Sequence, residues 1–410
     1  MNFKNIFSTI LILSLTLSFS GCHNLFNKDD EEPKPKYLVD YEMDSSYKPE
    51  LIQAFFSEIV KENPQAADII DRIQYGIIVY KIQYKTTFQG KPKLASGLVC
   101  MPLGEGTFPM LSYQNGTNTV NDNAPSMDPK SELFLLIEAM ASTGFVIAIP
   151  DYLGFGVSAD IPHPYLHKES TVQTVADMLR AAKELAEIKN VSLSNDLYIA
   201  GYSQGGWATM QVQKAIEQNY SSEFNLKASA PGGGPYDLSF INEYILEQTT
   251  YPMPYYIAYL INCFIEIEKL ETPLDLIFNP PYSSLKLSEL FDGKHTGGEI
   301  NMELTTKVAD LFTENYRMNF KTAAEFDAIR KMLADNSIEA WKTSIPTRII
   351  HGTADNYIPI EVSRNLHDDF LKKGVSTQQV QLIQIPGADH SGGALAAGVI
   401  IIDWFLELTK

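Results

Sequence analysis

The run "LYIAGYSQGGWATM" sets Ser203 between Gly201 and Gly205 in the pattern G-x-S-x-G. Apolar and aromatic residues lead into it, and a helix-like stretch follows. Strand, tight turn and helix together make the setting of a nucleophile elbow. Glycines on either side let strand and helix approach without side-chain clash, and the strained turn lifts the serine hydroxyl clear of the sheet. The competing reading is a strand-to-helix turn with no chemistry.

A serine hydroxyl is a weak nucleophile until a base takes its proton. Elbows of this kind take their partners in the chain order serine, acid, histidine. The downstream histidines are His295, His351, His367 and His390. His295 falls in the segment that reads as a cap, His367 in a helical run, and His351 just before the best-placed acid. His390 follows the strand-like "VQLIQI" in a loop, "PGADHSGG", and is the expected general base and then general acid. The expected orienting acid is Asp355, past a glycine turn in "TRIIHGTADNYIP", where Pro359 is placed to start a helix. Asp389 competes, but a sequence neighbour usually points away from the ring it would have to bond. Acyl transfer also needs donors for an oxyanion. The N–H of Gln204 is one; the other is expected from the loop "YQNGTNT", where Gly116 permits a sharp turn and Thr117 is the preferred donor.

Elements must deliver these groups to one place. "KPELIQAFFSEIVKENP" reads as a helix ended by Pro64. "YGIIVYKIQYKTTFQGKPKLASGLVCMP" reads as two antiparallel strands joined at Gln89-Gly90-Lys91. "FPMLSYQNGT" is a further strand, "SELFLLIEAMAST" a helix ended by Gly144, and "FVIAIPDYLGFG" a buried strand entering a loop. The helix "TVQTVADMLRAAKELAEIK", the strand "DLYIA", the helix "GGWATMQVQKAIEQ" and the strand "NLKASAPGGG" follow. This alternation predicts an α/β fold with a mostly parallel, twisted sheet flanked by helices. From Tyr236 to Ser344 the chain shows helical spacing without clear strands, and "YPMPYYIAYLINCFIEIEKL" within it reads as a helical cap element, not a membrane span. The sheet pattern resumes with "TRIIHGTAD", the helix "IEVSRNLHDDFLKKG", the strand "VQLIQIPGADH" and a final helix "GALAAGVIIIDWFLELTK". The expected organisation is core 37–235, cap insertion 236–344 and core 345–410.

The 410 residues are 45% hydrophobic and 20% charged, with a net charge of −18. So acidic a surface repels phosphate backbones, which argues against nucleic-acid partners. At the N-terminus, Lys4 precedes an apolar run ending in Ser20-Gly21-Cys22. Residues 1–21 resemble a bacterial lipoprotein signal, with Cys22 the lipidated residue; a plain secretory signal is the alternative. Residues 22–36, with "NKDDEEPKPK", read as an acidic tether that leaves the protein anchored to a membrane without spanning it. Acidic runs at this place resemble the surface-export signal of lipoproteins in gut-type Gram-negative bacteria, and a solvated linker is the plainer reading. Cys100 and Cys263 lie in apolar contexts and read as buried free thiols, although an oxidising compartment would let them pair. His163 and His167 stand four apart in "HPYLH", but nothing completes a metal site, so a structural role is expected.

With "LSYQNGT", "PDYLGFG" before "HPYLHKES", "GYSQGG", "HGTADNYIP" and "ADHSGG" in hand, the chain resembles the α/β-hydrolases, and among them the secretory lipase family, from about residue 75 to the end. The resemblance implies an α/β-hydrolase fold with a lid over an acyl pocket, and Ser203, Asp355 and His390 as a triad. It implies Tyr152 and Tyr202 lining that pocket, with Asn115 and Gly116 facing the substrate. Asn115 stands where many superfamily members carry histidine. The expected function is a lipid-anchored, extracytoplasmic serine esterase using no metal or cofactor. Its substrate would be a small-molecule or polysaccharide-linked ester with a hydrophobic portion: a short-to-medium acyl ester, an acylglycerol or a hydroxycinnamoyl ester. The alternatives are a serine peptidase on the same fold and a non-catalytic surface binding lipoprotein.

Overall fold

Among the residues described by the computed structural model, 35–62 and 67–410, nine strands form one sheet. They are β1 (Leu38–Tyr47), β2 (Gly76–Phe88), β3 (Lys91–Leu103), β4 (Thr107–Gln114), β5 (Val146–Pro150), β6 (Ser192–Tyr202), β7 (Asn225–Gly232), β8 (Thr347–Gly352) and β9 (Val380–Ile385). The signal segment, Cys22 and the tether as far as residue 34 lie outside the described residues. The spatial order is β1-β2-β3-β5-β4-β6-β7-β8-β9. The pairs from β1 to β5 are antiparallel, and those from β5 to β9 are parallel. The β2–β3 hairpin turns at Gln89-Gly90, both at positive φ, and pairs without a break from Phe88–Lys91 down to Gly76–Leu103.

The sequence gives little sign of β1. Its residues "LVDYEMDSSY" set Asp40, Glu42 and Asp44 among the apolar ones, and only Leu38 is buried. It is an edge strand whose charges blunt the open edge; Val39 to Asp44 alternate apolar and acidic residues, but none of them is buried, and the run follows directly on the charged tether. Lys36, read above as the end of the tether, is already docked: the Glu184 carboxylate accepts the N–H groups of Lys36, Tyr37 and Leu38 at 2.7–3.2 Å.

Helices cover both faces. One layer holds α1 (Pro49–Glu62) and α2 (Glu132–Ala139); the other holds α3 (Lys168–Ile188) and α4 (Gln204–Ala215). Strand periodicity divides the core between them. Ile199 and Ile349 face the α3–α4 side, while Tyr198, Ala200 and Ile350 face the α1–α2 side. Between β7 and β8 come α5 (Leu238–Glu247), α6 (Tyr255–Glu266) and α7 (Asp327–Asn336), with shorter helical turns between them. Their apolar faces, including Ile245, Phe264, Tyr316 and Leu333, continue the α3–α4 core. Asn336 fastens this segment to the core. Its side chain accepts from the Lys168 N–H and donates to Glu268, while its carbonyl accepts from Trp207 and Gln211.

After β8 come α8 (Glu361–Lys372) and, beyond β9, α9 (His390–Leu408). The expectation of a loop at "PGADHSGG" is corrected here. Asp389 is the N-cap, accepting from the Gly392 N–H at 2.8 Å, and His390 is the first helical residue. A cap bond offsets the poor helix propensity of Gly392-Gly393, which made the stretch look like a loop. Cys100 and Cys263 are free and buried.

Candidate active site

Ser203 follows β6 directly and is the N-cap residue of α4, with φ 60° and ψ −122°. Such a conformation costs a non-glycine residue about 1–3 kcal/mol and persists because its surroundings over-determine it. Its neighbours leave no alternative. A Cβ at Gly205 would sit 1.8 Å from the Gln114 carbonyl, and one at Gly206 would sit 2.1 Å from the Gly232 carbonyl. The Ser203 N–H donates to that same Gly232 carbonyl at 2.9 Å. The hydroxyl is thereby held at the N-terminus of α4, where the first N–H groups have no partner within the helix.

Two other elements complete the array. His390 Nε2 lies 3.0 Å from Ser203 Oγ, and His390 Nδ1 lies 2.7 Å from Asp355 Oδ2. Asp355 stands in the loop after β8, its side chain fully buried. Its Oδ1 accepts the N–H groups of Tyr357 and Ile358, each at 2.9 Å. Its Oδ2 also lies 3.2 Å from His351 Nε2. Burial pushes the Asp355 carboxyl up, but the hydrogen bonds from His351 and His390, with the Ile358 N–H, outweigh it and hold the group well below the usual carboxylate range. Asp389, the sequence competitor, is occupied as the cap of α9. The His390 ring is held between Tyr202 and Tyr357, with centroids 5.2 and 5.0 Å away.

The loop after β4 passes beside the serine. A Cβ at Gly116 would lie 4.0 Å from Ser203 Cβ. Thr117 Oγ1 meets the Tyr165 hydroxyl at 3.1 Å, and the Asn115 carbonyl accepts from the Tyr152 hydroxyl at 3.2 Å. Asn115 and Tyr152 are both buried. The Gln204 side chain turns inward to His163. Tyr202 packs under the glycines at 232, 233 and 393 and against His390.

The inserted segment closes over this loop through tyrosines. Tyr259 stacks on Tyr165 at 4.4 Å and on Phe291 at 4.3 Å, and its hydroxyl donates to the Asn118 carbonyl. The Tyr251 hydroxyl donates to the Tyr357 carbonyl at 3.1 Å. Sequence reasoning did not find Tyr357, Tyr165, Tyr251, Tyr259 or the partnership of His351 with Asp355. The one local signal was the placing of Tyr357 two residues past Asp355. An open groove of about 560 Å³ lined by Arg364, His367 and Gln384 lies elsewhere, along β9 and α8. Among the described residues, no group of three or more His, Cys, Asp or Glu is placed to hold a metal ion.

Residues 125–406 match the model of the family described as secretory lipase. No curated protein sequence matches the chain. Among solved structures, the rice cell wall degrading esterase LipA from Xanthomonas oryzae is 26% identical over 92% of this chain and 98% of its own, with a TM-score of 0.76. A Legionella pneumophila protein is 26% identical over 91% of this chain and 97% of its own, with a TM-score of 0.78. Candida antarctica lipase A shares the fold at 16% identity and a TM-score of 0.61, over 86% of this chain and 77% of its own. A family match over more than two thirds of the length, on a sheet of this order, makes the protein an ester-hydrolysing enzyme with the α/β-hydrolase fold, and the chain belongs to the secretory lipase family.

Proposed function

We propose that the protein is a serine esterase in which Ser203 is the nucleophile, His390 the acid–base group and Asp355 the orienting acid. The observation that carries this reading is the unbroken line of contacts, 3.0 Å from Ser203 to His390 and 2.7 Å from His390 to Asp355. Ser203 Oγ attacks the ester carbonyl carbon as its proton passes to His390 Nε2. Asp355 keeps Nδ1 protonated and stabilises the imidazolium. The N–H groups of Gln204 and Thr117 receive the oxyanion. Collapse breaks the bond to the alcohol, which leaves with the proton from Nε2, and water repeats the sequence on the acyl-enzyme to release the acid.

The substrate class is an ester with a hydrophobic portion: short-to-medium acyl, acylglycerol or hydroxycinnamoyl. Support comes from the apolar, aromatic character of the inserted segment, whose Tyr259 and Phe291 stack with Tyr165 beside the loop after β4. The rice cell wall degrading activity in the name of the Xanthomonas esterase favours an ester attached to a polysaccharide. The enzyme works outside the cytoplasm, held to the outer membrane by a lipid on Cys22.

Ser203→Ala should keep the melting temperature and lower kcat on a p-nitrophenyl ester by about 10⁴-fold or more. It should also abolish the labelling by a fluorophosphonate that wild type shows. Near-normal turnover in that variant would refute the assignment. Faster cleavage of matched amides than of esters would turn the reading toward a peptidase. Cys22→Ala should move the protein from the membrane fraction to the soluble one with activity retained; continued sedimentation with membranes would rule out the anchor.

A further inference from the structure

The Gln204 side chain is 1% exposed, and its Nε2 lies 3.0 Å from Nε2 of His163, which is 5% exposed. Two nitrogens at that distance share one hydrogen, so one of them must accept. His163 Nδ1 lies 2.7 Å from the Leu153 carbonyl, which can only accept, so Nδ1 carries a hydrogen. The ring is therefore neutral, and its Nε2 lone pair receives an N–H of the Gln204 carboxamide. Turning the amide over would require an imidazolium instead. That charge would sit among Phe155, Tyr259, Tyr152 and Tyr165, whose ring centroids lie 4.7–6.1 Å from that of His163. Burial pushes the pKa of His163 down to about 4, against the opposing hydrogen bond to Leu153.

The surrounding loop is shaped to hold this ring. Gly154 has φ +90°, and a Cβ there would come within 2.3 Å of His163 Cα, so the chain folds directly onto the histidine backbone. The same ring backs the other side of the oxyanion loop. It packs on Tyr165 and Tyr259, Tyr165 meets the Thr117 hydroxyl, and Tyr259 donates to the Asn118 carbonyl.

We propose that His163 is a positioning residue for the oxyanion site: it fixes Gln204 through its carboxamide and supports Tyr165 against Thr117, so that one neutral, buried ring sets both amides. The inference rests on the triad reading above. Ser203 precedes Gln204 in a strained conformation, and the peptide between them must present its N–H to a charge that exists only in the transition state. Anchoring the Gln204 side chain restricts that peptide plane before substrate arrives, which is the preorganisation an oxyanion site needs.

The test separates the two bonds of the ring. His163→Asn places an amide nitrogen near the Nδ1 position, keeping the Leu153 bond and losing the Gln204 bond. His163→Gln carries a carboxamide oxygen out to the Nε2 position. With sites counted by the acyl-enzyme burst, His163→Asn should lower kcat by about 10–100-fold while KM stays within about two-fold. The inhibition constant of an alkyl trifluoromethyl ketone should rise by the same factor as kcat falls. His163→Gln should recover to within about three-fold of wild type, Gln204→Met should reproduce the fall, and the double variant His163→Asn/Gln204→Met should be no worse than either alone. Equal damage from Asn and Gln, or normal kcat per site and inhibitor binding in His163→Asn, would overturn the proposal. If neither His163 variant folds, Gln204→Met decides, and wild-type kcat in it overturns the proposal. Those failures alongside an inactive Ser203→Ala would leave the triad standing; turnover surviving in Ser203→Ala would remove both.

Discussion

Asp355 divides its oxygens between backbone and imidazoles, and the division has consequences for rate and for pH. Oδ1 is held by two N–H groups, so Oδ2 is fixed toward His390 while His351 Nε2 approaches it from the other side. His351 is itself fixed, with Nε2 donating to the Ile358 carbonyl at 3.0 Å and Nδ1 accepting from Ser363 at 2.6 Å. Asp355→Asn keeps the shape but loses the acceptor that keeps His390 Nδ1 protonated, so kcat on a p-nitrophenyl ester should fall by about 10³–10⁴-fold. A fall of less than ten-fold would displace Asp355 from the role. Because its folded-state pKa is depressed, the stability that Asp355 adds is full above the ordinary carboxylate range and is lost as pH falls through the lower folded value. Glu138 behaves in the opposite sense. Burial, then the nearby Asp44, raises its pKa to about 8, with Lys130 opposing. Its contribution is full below the ordinary glutamate value of about 4.3 and is lost as pH rises toward the folded value. Glu138→Gln should therefore gain on wild type as pH rises from 5 to 8.5, reaching roughly 3 °C in melting temperature by calorimetry. A difference that stays constant with pH would contradict the assignment.

The elbow is the element on which the site turns, and its tolerance is small. The Cβ of Gly205→Ala has nowhere to go but into the Gln114 carbonyl of the neighbouring strand β4. That variant should lose at least about 4 kcal/mol in urea unfolding or fail to fold, whereas Gly374→Ala, with open space around its Cβ but φ +83°, should lose about 1 kcal/mol. Equal losses would mean that the packing at β4 is looser than described. The elbow was legible in the sequence because glycines, serine, strand and helix are contiguous, so local chemistry alone writes the pattern. The alternation of strand and helix was legible for the same reason. Strand β1 was not read, since its short alternation from Val39 to Asp44 follows directly on the charged tether and buries neither set of residues. The start of α9 was obscured because Gly392-Gly393 argues for a loop while one cap bond from Asp389 decides for a helix. The contacts of Tyr357, Tyr259 and His163 were invisible for another reason: each depends on a partner brought in by topology from a distant part of the chain.

At the scale of the molecule, the inserted helices and the sheet share one apolar interior, and Asn336 is one of several polar fastenings between them, alongside Glu217 with Trp341, Thr343 and Ser344. Its side chain reaches Lys168 on α3 and Glu268 beyond α6, and its carbonyl takes hydrogen bonds from Trp207 and Gln211 on α4. Asn336→Ala keeps the carbonyl bonds but leaves the Lys168 amide and Glu268 without this partner. It should lower stability by about 2–3 kcal/mol in urea unfolding and raise KM more than it lowers kcat. An unchanged unfolding midpoint would show that the Asn336 side chain does not help to seat the segment. The Trp207 indole is fully buried four positions past Ser203, and its N–H ends on this same residue. The chain has three tryptophans; of the other two, Trp341 donates to Glu217 and Trp404 packs in the core on the opposite face of the sheet. With both replaced by phenylalanine, intrinsic fluorescence would come from one indole at the seam between the inserted helices and α4. Its emission would shift to the red as water reached the seam, so the enzyme carries its own optical gauge of how firmly the inserted helices sit on α4.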